Sequence, residues 1–239
     1  MPGTGAPGVL ESDNYGVALR LAAEKLRTLD PPNVAVRTGT IWEPAVEAGG
    51  VEGPSGAFLF RFLGTDCRVE HPGATVWTRE GPPATPDSRL PTLDSPWRPA
   101  PIWDSILVLH YLGSEGPVPA ATEPVAFAQV PSGAFYDAAF QRRSRAPVVR
   151  AFGARPERLL DVAASVDGRP WNRGDASLVI PAFPRVDVYV VIYRGDDEFP
   201  ADGTVLFSSN VASFLSTEDV AVLAGMVAGR LGKALRALG

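Results

Sequence analysis

Ala176–Phe183 (ASLVIPAF) and Val186–Tyr193 (VDVYVVIY) are dense in β-branched and aromatic residues. Such runs fit a pleated, half-buried surface, and each has the length of an ordinary strand. Pro181 and Pro184 cannot donate to a strand ladder, so the sheet is predicted to have an edge or a bulge there. Gly195-Asp196-Asp197-Glu198 then reads as a turn, and Thr204–Phe207 as a further short strand.

Working outward, Ala57–Leu63 and Asp66–Glu70 form the clearest hairpin. Gly64-Thr65 lies between them, and a leading glycine suits a type II′ turn. Arg61 interrupts Phe60 and Phe62, which turns one face of that hairpin to solvent. Alternation predicts short strands at Asn33–Thr38 and Val125–Val130. Helical spacing joins Tyr15, Leu19, Ala22, Leu26 and Leu29, with Ser12 or Asp13 as N-cap and Asp30-Pro31-Pro32 as the stop. The same spacing puts Trp103, Ile106, Leu107 and His110 on one face of a helix within Ile102–Leu112, and recurs through Phe135, Tyr136, Ala139, Phe140 and Arg143. Short helices are expected from Pro147 to Gly153 and from Pro156 to Gly168. Ser216-Thr217-Glu218-Asp219 matches a capping box that opens a C-terminal helix through Val220, Leu223, Val227 and Leu231. Gly225, Gly229 and Gly232 in that helix are expected to lie against another backbone. Residues 81–101 carry seven prolines, and Leu93, Trp97 and Ile102 are expected to anchor them as an ordered wrap. The order of elements gives an α+β fold, with a mostly antiparallel sheet and helices packed on one side. Residues 14–239 read as a single domain with a Pro-rich excursion at 81–101, and residues 1–13 as a flexible N-terminus.

The chain has 239 residues, with Lys+Arg 22 against Asp+Glu 27 and a net charge of -5. That balance argues against a nucleic-acid partner. One cysteine and two histidines exclude an internal disulfide framework, a self-contained iron–sulfur cluster and a three-histidine metal centre. Val188–Tyr193 is the longest strongly apolar stretch, far short of the ~20 residues that span a bilayer. Met1 to Leu10 lacks the basic start and apolar run of a signal peptide, so a cytoplasmic location and no membrane partner are expected. Neither a dinucleotide-binding fingerprint, a P-loop nor a Gly-x-Ser-x-Gly elbow is present.

Several residues are candidates for chemistry, each beside a plainer alternative. Asp196, Asp197 and Glu198 form the densest acidic cluster, able to supply an acid/base pair, or simply an exposed turn rich in Asp and Gly. His110 can serve as an axial ligand or general base, or be a histidine facing a helix C-terminus. Arg142, Arg143, Arg145, Arg150, Arg155 and Arg158 form a basic run suited to phosphate or carboxylate groups, or a solvated helical face. Cys67 reads as a buried, inert thiol. His71, before Pro72-Gly73, reads as exposed.

Taken in order, these pieces resemble the prokaryotic domain-of-unknown-function family 3786. The resemblance is carried by Leu109-His110-Tyr111-Leu112, Phe127, Ser132-Gly133-Ala134-Phe135-Tyr136 and Phe140…Arg143. It continues through Ala182-Phe183-Pro184, Gly195–Ala201, Leu206-Phe207, Phe214-Leu215 and Glu218-Asp219. It runs from about Tyr15 to the C-terminal helix. It implies a bacterial or archaeal domain that some relatives carry fused to a four-cysteine iron–sulfur module like that of corrinoid proteins. By implication the context is redox or one-carbon metabolism, the cofactor a tetrapyrrole such as haem or a corrinoid, and the partner a redox or corrinoid protein. This chain departs from the pattern in having one cysteine, and Ser208 where an acidic residue is expected.

Three readings of function follow. The first is an accessory protein that binds a small molecule or cofactor, with His110, Tyr111, Arg142 and Arg143 as cofactor-binding residues. The second is an enzyme using Asp196, Asp197 and Glu198 with Tyr136 or His110 for acid/base chemistry. The third is a structural or partner-binding subunit.

Overall fold

The computed structural model describes residues 8–45, 54–81 and 96–239. In chain order the elements are α1 (Gly8–Arg27), α2 (Pro31–Thr38), β1 (Ile41–Pro44), β2 (Gly56–Phe62), β3 (Thr65–His71), β4 (Val76–Glu80), β5 (Arg98–Pro99) and α3 (Ile102–Leu112). There follow β6 (Val125–Ala126), α4 (Gly133–Phe140), α5 (Ala146–Phe152), α6 (Arg158–Asp161) and β7 (Arg169–Pro170). The last are β8 (Ala176–Phe183), β9 (Val186–Tyr193), β10 (Asp202–Phe207) and α7 (Thr217–Ala237). The class is α+β and every strand pairing is antiparallel, but the strands divide into two five-stranded sheets, ordered β1-β2-β3-β4-β5 and β6-β10-β9-β8-β7.

The expected irregularity in β8 is a register shift between Pro181 and Phe183. The β2–β3 turn differs from the type II′ expectation. Leu63 (φ 47°) and Gly64 (φ 81°) both sit in the left-handed region, which is the signature of a type I′ turn. Gly64 is required twice over, because a Cβ there would also come within 2.6 Å of the Ser165 carbonyl oxygen.

Residues 33–38 are helical rather than extended. Asp30 accepts the Asn33 N–H at 3.2 Å, the two prolines occupy the first helical positions, and Gly39 closes the helix at φ 70°. The Asp-Pro-Pro run thus ends one helix and opens the next, and six residues are too few for periodicity to separate strand from helix. The Val125–Val130 strand stops after two residues, because the Gln129 side chain accepts the Ala126 N–H at 2.8 Å and folds Phe127–Gln129 into a 3-10 turn. α1 begins at Gly8, ahead of the Ser12 and Asp13 cap candidates. Residues 1–7 of the expected flexible N-terminus, and 82–95 of the Pro-rich stretch, lie outside the described residues. Beyond them Trp97 lies under the Arg79 guanidinium, 4.5 Å from its ring centre.

α4 and α5 are joined by a π turn over Gln141–Arg145. Pro147 has no N–H to give the Arg143 carbonyl, so an α turn would leave that oxygen unpaired, and the wide turn relieves the conflict. Within it Arg145 reaches β10, donating to the Gly203 carbonyl at 2.6 Å and pairing with Asp202. α3 is buried on nearly every side, Ser105 through Leu109 with Tyr111 and Leu112, rather than along one face. Trp103 remains 40% exposed and tilts against Tyr15.

The sheets meet where the Leu63 N–H donates to the Ala182 carbonyl at 3.2 Å. There Phe183 stacks on Tyr111 at 4.2 Å and lies 4.8 Å from Phe62. α7 buries Val220, Leu223, Val227 and Leu231, each at most 1% exposed, and each worth roughly 1.5–3 kcal/mol. Its capping box forms as the sequence indicates. Its glycines do not meet a neighbouring backbone, however. A Cβ at Gly225 or Gly229 would have nothing within 4 Å.

Asp66 is fully buried and binds two arginines. Arg61 donates to one oxygen at 2.8 Å and Arg79 to the other at 2.9 Å, while Arg61 also grips Asp167 at 2.8 and 3.0 Å. Asp66→Ala removes the buried carboxylate that Arg61 and Arg79 share and is expected to cost about 3–5 kcal/mol. Lys25→Ala, which removes the exposed pair with Glu115, is expected to change stability by less than about 1 kcal/mol. Urea unfolding of the two variants tests the contrast. Gly225→Ala and Gly229→Ala are each expected to raise stability by about 0.5–1 kcal/mol, read the same way.

Candidate functional site

His110 sits in the last turn of α3, where the helix dipole favours positive charge, and meets the first turn of α7. Its Nδ1–H donates to Asp219 Oδ1 at 2.8 Å. The other oxygen of Asp219 accepts the Ser216 hydroxyl at 2.7 Å and the Ser216 N–H at 3.1 Å. Asp219 therefore serves both as a helix-capping carboxylate and as the orienting partner of an imidazole. His110 Nε2 has no hydrogen bond among the described residues and reaches the surface. The bond to Asp219 raises the imidazole pKa above its usual range against the effect of burial. Burial pushes the Asp219 carboxyl up, but the bonds from His110 and Ser216 outweigh it and hold the pKa below the usual value.

The other expected site residues lie elsewhere. Tyr111 is a core residue with 0% exposure; its hydroxyl donates to the Thr38 carbonyl at 2.5 Å and accepts the Arg185 N–H at 3.2 Å. Arg142 and Arg143 are exposed on the π turn. Arg143 opens onto a groove of about 480 Å³ between α5 and α7, floored by Gly225, Gly229 and Gly232. Phe135 is 88% and Tyr136 63% exposed on α4. Asp196, Asp197 and Glu198 are exposed and border neither this groove nor the larger cavity described next. Asp196 accepts the N–H groups of Phe199 and Glu198 at 2.7 and 2.9 Å. Those bonds hold its pKa low, so the turn's best-placed carboxylate stabilises the turn itself. No shared cavity, hydrogen bond or ion pair joins His110, Tyr111, Arg142 and Arg143 among the described residues. They do not fit a tetrapyrrole, which needs a slot with a ligand at its centre.

The larger cavity, of about 670 Å³, lies between β4 with β5, the start of α3, and the C-terminal half of α7. Its charged lining is Arg79, Glu80, Arg98, Asp104, Arg230 and Lys233. At the wall, Arg230 donates to Asp104 at 2.8 Å and to the Leu63 carbonyl at 2.6 Å, with its guanidinium 5.2 Å from the Phe62 ring centre. Burial lifts the Asp104 carboxyl above its usual range despite that partner and lowers the pKa of Arg230. Cys67 is fully buried, and burial pushes its thiol far up, as an inert thiol requires. The sequence marked neither Asp104 nor Arg230 for a site. One reads as a first-turn helix acid and the other as the polar face of a helix.

Two further expectations change. His71 is buried, its Nδ1 2.9 Å from the Pro54 carbonyl and its ring edge-on to Trp42. Ser208, standing where an acid was expected, accepts the Asp187 N–H at 2.7 Å and donates to the Asp187 carbonyl at 3.3 Å. A carboxylate there has no proton to donate in that second bond. No helix among the described residues is long and apolar enough to cross a membrane.

The family described as domain of unknown function (DUF3786) matches residues 42–230, and the chain belongs to it. The match begins after α1 and α2 and includes both sheets, α3 and most of α7. No curated protein and no solved structure matches the chain.

The His110–Asp219 pair gives stability a defined pH dependence. The raised imidazole pKa adds stability that is complete below the usual value of 6.5 and lost as pH rises through the raised one. The depressed carboxyl pKa adds stability present above 3.8 and lost as pH falls through the depressed one. Lys25 and Glu218 are the other charges acting on the ring, in opposite senses. Wild type is expected to lose on the order of 1 kcal/mol or less between pH 6 and 8.5. His110→Gln is expected to show a flatter profile, measured by urea unfolding across that range.

Proposed function

We propose that this chain, as a member of that family, is an accessory protein that binds a small molecule in the cavity between β4, β5, α3 and α7. The observation that carries the reading is the cavity itself. Its volume of about 670 Å³ falls within the range of ligand pockets, roughly 300–1,000 Å³. Its lining comes from distant parts of the chain: the β2–β3 turn, β4, the start of α3, residues 164–165 and α7. Small side chains make the room, among them Ala164, Ala234 and Ala237. The Asp104–Arg230 pair supplies a fixed polar wall. An enzyme built on the acidic turn has less support, because those carboxylates lie outside the cavity and one of them braces its own loop.

Filling the cavity tests the proposal. Ala164 and Ala237 are exposed, so tryptophan at either position occupies the space without disturbing the core. A thermal-shift screen against small metabolites of mixed charge is expected to yield compounds that stabilise the wild type. At saturation the shift should be about 5 °C or more. Ala164→Trp and Ala237→Trp should keep the wild-type melting temperature without ligand and lose the shift. If no compound stabilises the wild type more than the two filled variants, the proposal falls.

A further inference from the structure

The charge of the cavity runs against the charge of the molecule. The chain carries a net -5, yet four of the six charged side chains that line this cavity are cationic. Two of these are committed to the fold. Arg230 is paired with Asp104, and Arg79 with the buried Asp66. Arg98 on β5 and Lys233 on α7 have no ion pair or hydrogen bond among the described residues, and both are exposed at the rim. They come from different elements, β5 and α7, and line the same cavity rather than forming one stripe along a single helix or strand. Glu80, at the exposed end of β4, is the acid set against them.

A second source of positive potential enters the same space. The 11-residue helix α3 starts at the cavity, with Pro101 and Asp104 both on the lining. Pro101 offers no side-chain cap to its first turn. The dipole of a helix of this length favours an anion near its N-terminus. Asp104, the acid of that turn, is already neutralised by Arg230. The remaining lining is largely glycine, alanine and proline, which fits the body of an organic molecule better than a bare inorganic ion.

We infer that the ligand of this cavity is an organic anion bearing a phosphate or carboxylate group, held between Arg98 and Lys233 near the start of α3. The inference rests on the cavity being the ligand site and adds the chemical class. Guanidinium and ammonium groups recognise either anion through charge-assisted hydrogen bonds, so the two sources share one binding chemistry.

Calorimetric titration at fixed ionic strength, with phenyl phosphate and citrate as probes and chloride as the balancing salt, tests the assignment and separates phosphate from carboxylate. At least one probe is expected to bind. Arg98→Gln and Lys233→Gln should each weaken it about ten-fold, and the double variant more. Both positions are exposed, so circular dichroism and melting temperature should be unchanged. Binding indifferent to both substitutions, or no binding of either probe, overturns the anion assignment. The screen against the filled variants separates this failure from the broader one. Neutral or cationic compounds displaced by Ala164→Trp would leave the cavity as the ligand site while refuting its anionic ligand. An absence of any displaced compound would refute both.

Discussion

The structure depends on the tight turn at Leu63-Gly64, where the two sheets and the C-terminal helix are fastened together. The Leu63 N–H binds the second sheet through Ala182, and its carbonyl accepts from Arg230 of α7. Gly64 lies so close to residues 165–166 that no side chain fits. Behind the turn, Phe62, Phe183 and Tyr111 bring β2, β8 and α3 into ring contact. Packing at this density does not deform continuously. Moving the turn would therefore displace the second sheet and α7 together, and α7 is one wall of the cavity that Gly64 and Thr65 help to line.

What the sequence reveals of this arrangement follows the range of each interaction. β8 and β9 are legible to the residue because their patterning is local, and so is the start of α7, whose cap is a four-residue motif. The division into two sheets is not legible, since strand composition says nothing about which strand pairs with which. Asn33–Thr38 is ambiguous in sequence because a short amphipathic segment satisfies both periods, and only the Asp30 cap and the Gly39 closure decide between them. The π turn before Pro147 is a compromise between a helix that continues and a proline that cannot supply its hydrogen bond. Neither partner alone announces it.

The candidate site shows the same limit more sharply. His110 could be singled out, but its neighbour Tyr111 could not share its role. Consecutive helical residues point about 100° apart, so one reaches the surface while the other enters the core. Asp219 was legible as a cap, and its second function depends on a histidine 109 positions earlier. Arg230 and Asp104 are separated by 126 positions. Each looks ordinary on its own helix, and only the tertiary fold makes them one wall.

Buried ion pairs of this kind contribute little net stability compared with apolar residues of the same size, yet breaking one is costly. Their effect is thus to penalise alternative arrangements more than to deepen the native one. Asp66 with Arg61 and Arg79, and Asp104 with Arg230, each tie together segments that local sequence leaves independent, as the more exposed His110–Asp219 pair does more weakly. For the proposed ligand site this has a consequence. Arg230 already has its counter-ion, so the wall is assembled before any ligand arrives and costs nothing further to organise. Arg98 and Lys233 are exposed and have no partner among the described residues, so closing on the proposed ligand would cost them side-chain freedom, at about 0.5–1.5 kcal/mol each. A fixed wall with a loose cationic rim favours ligands whose body fills the space and whose charge lies at one end. In the proposed site, selectivity would be set by the shape of the wall and affinity by the rim.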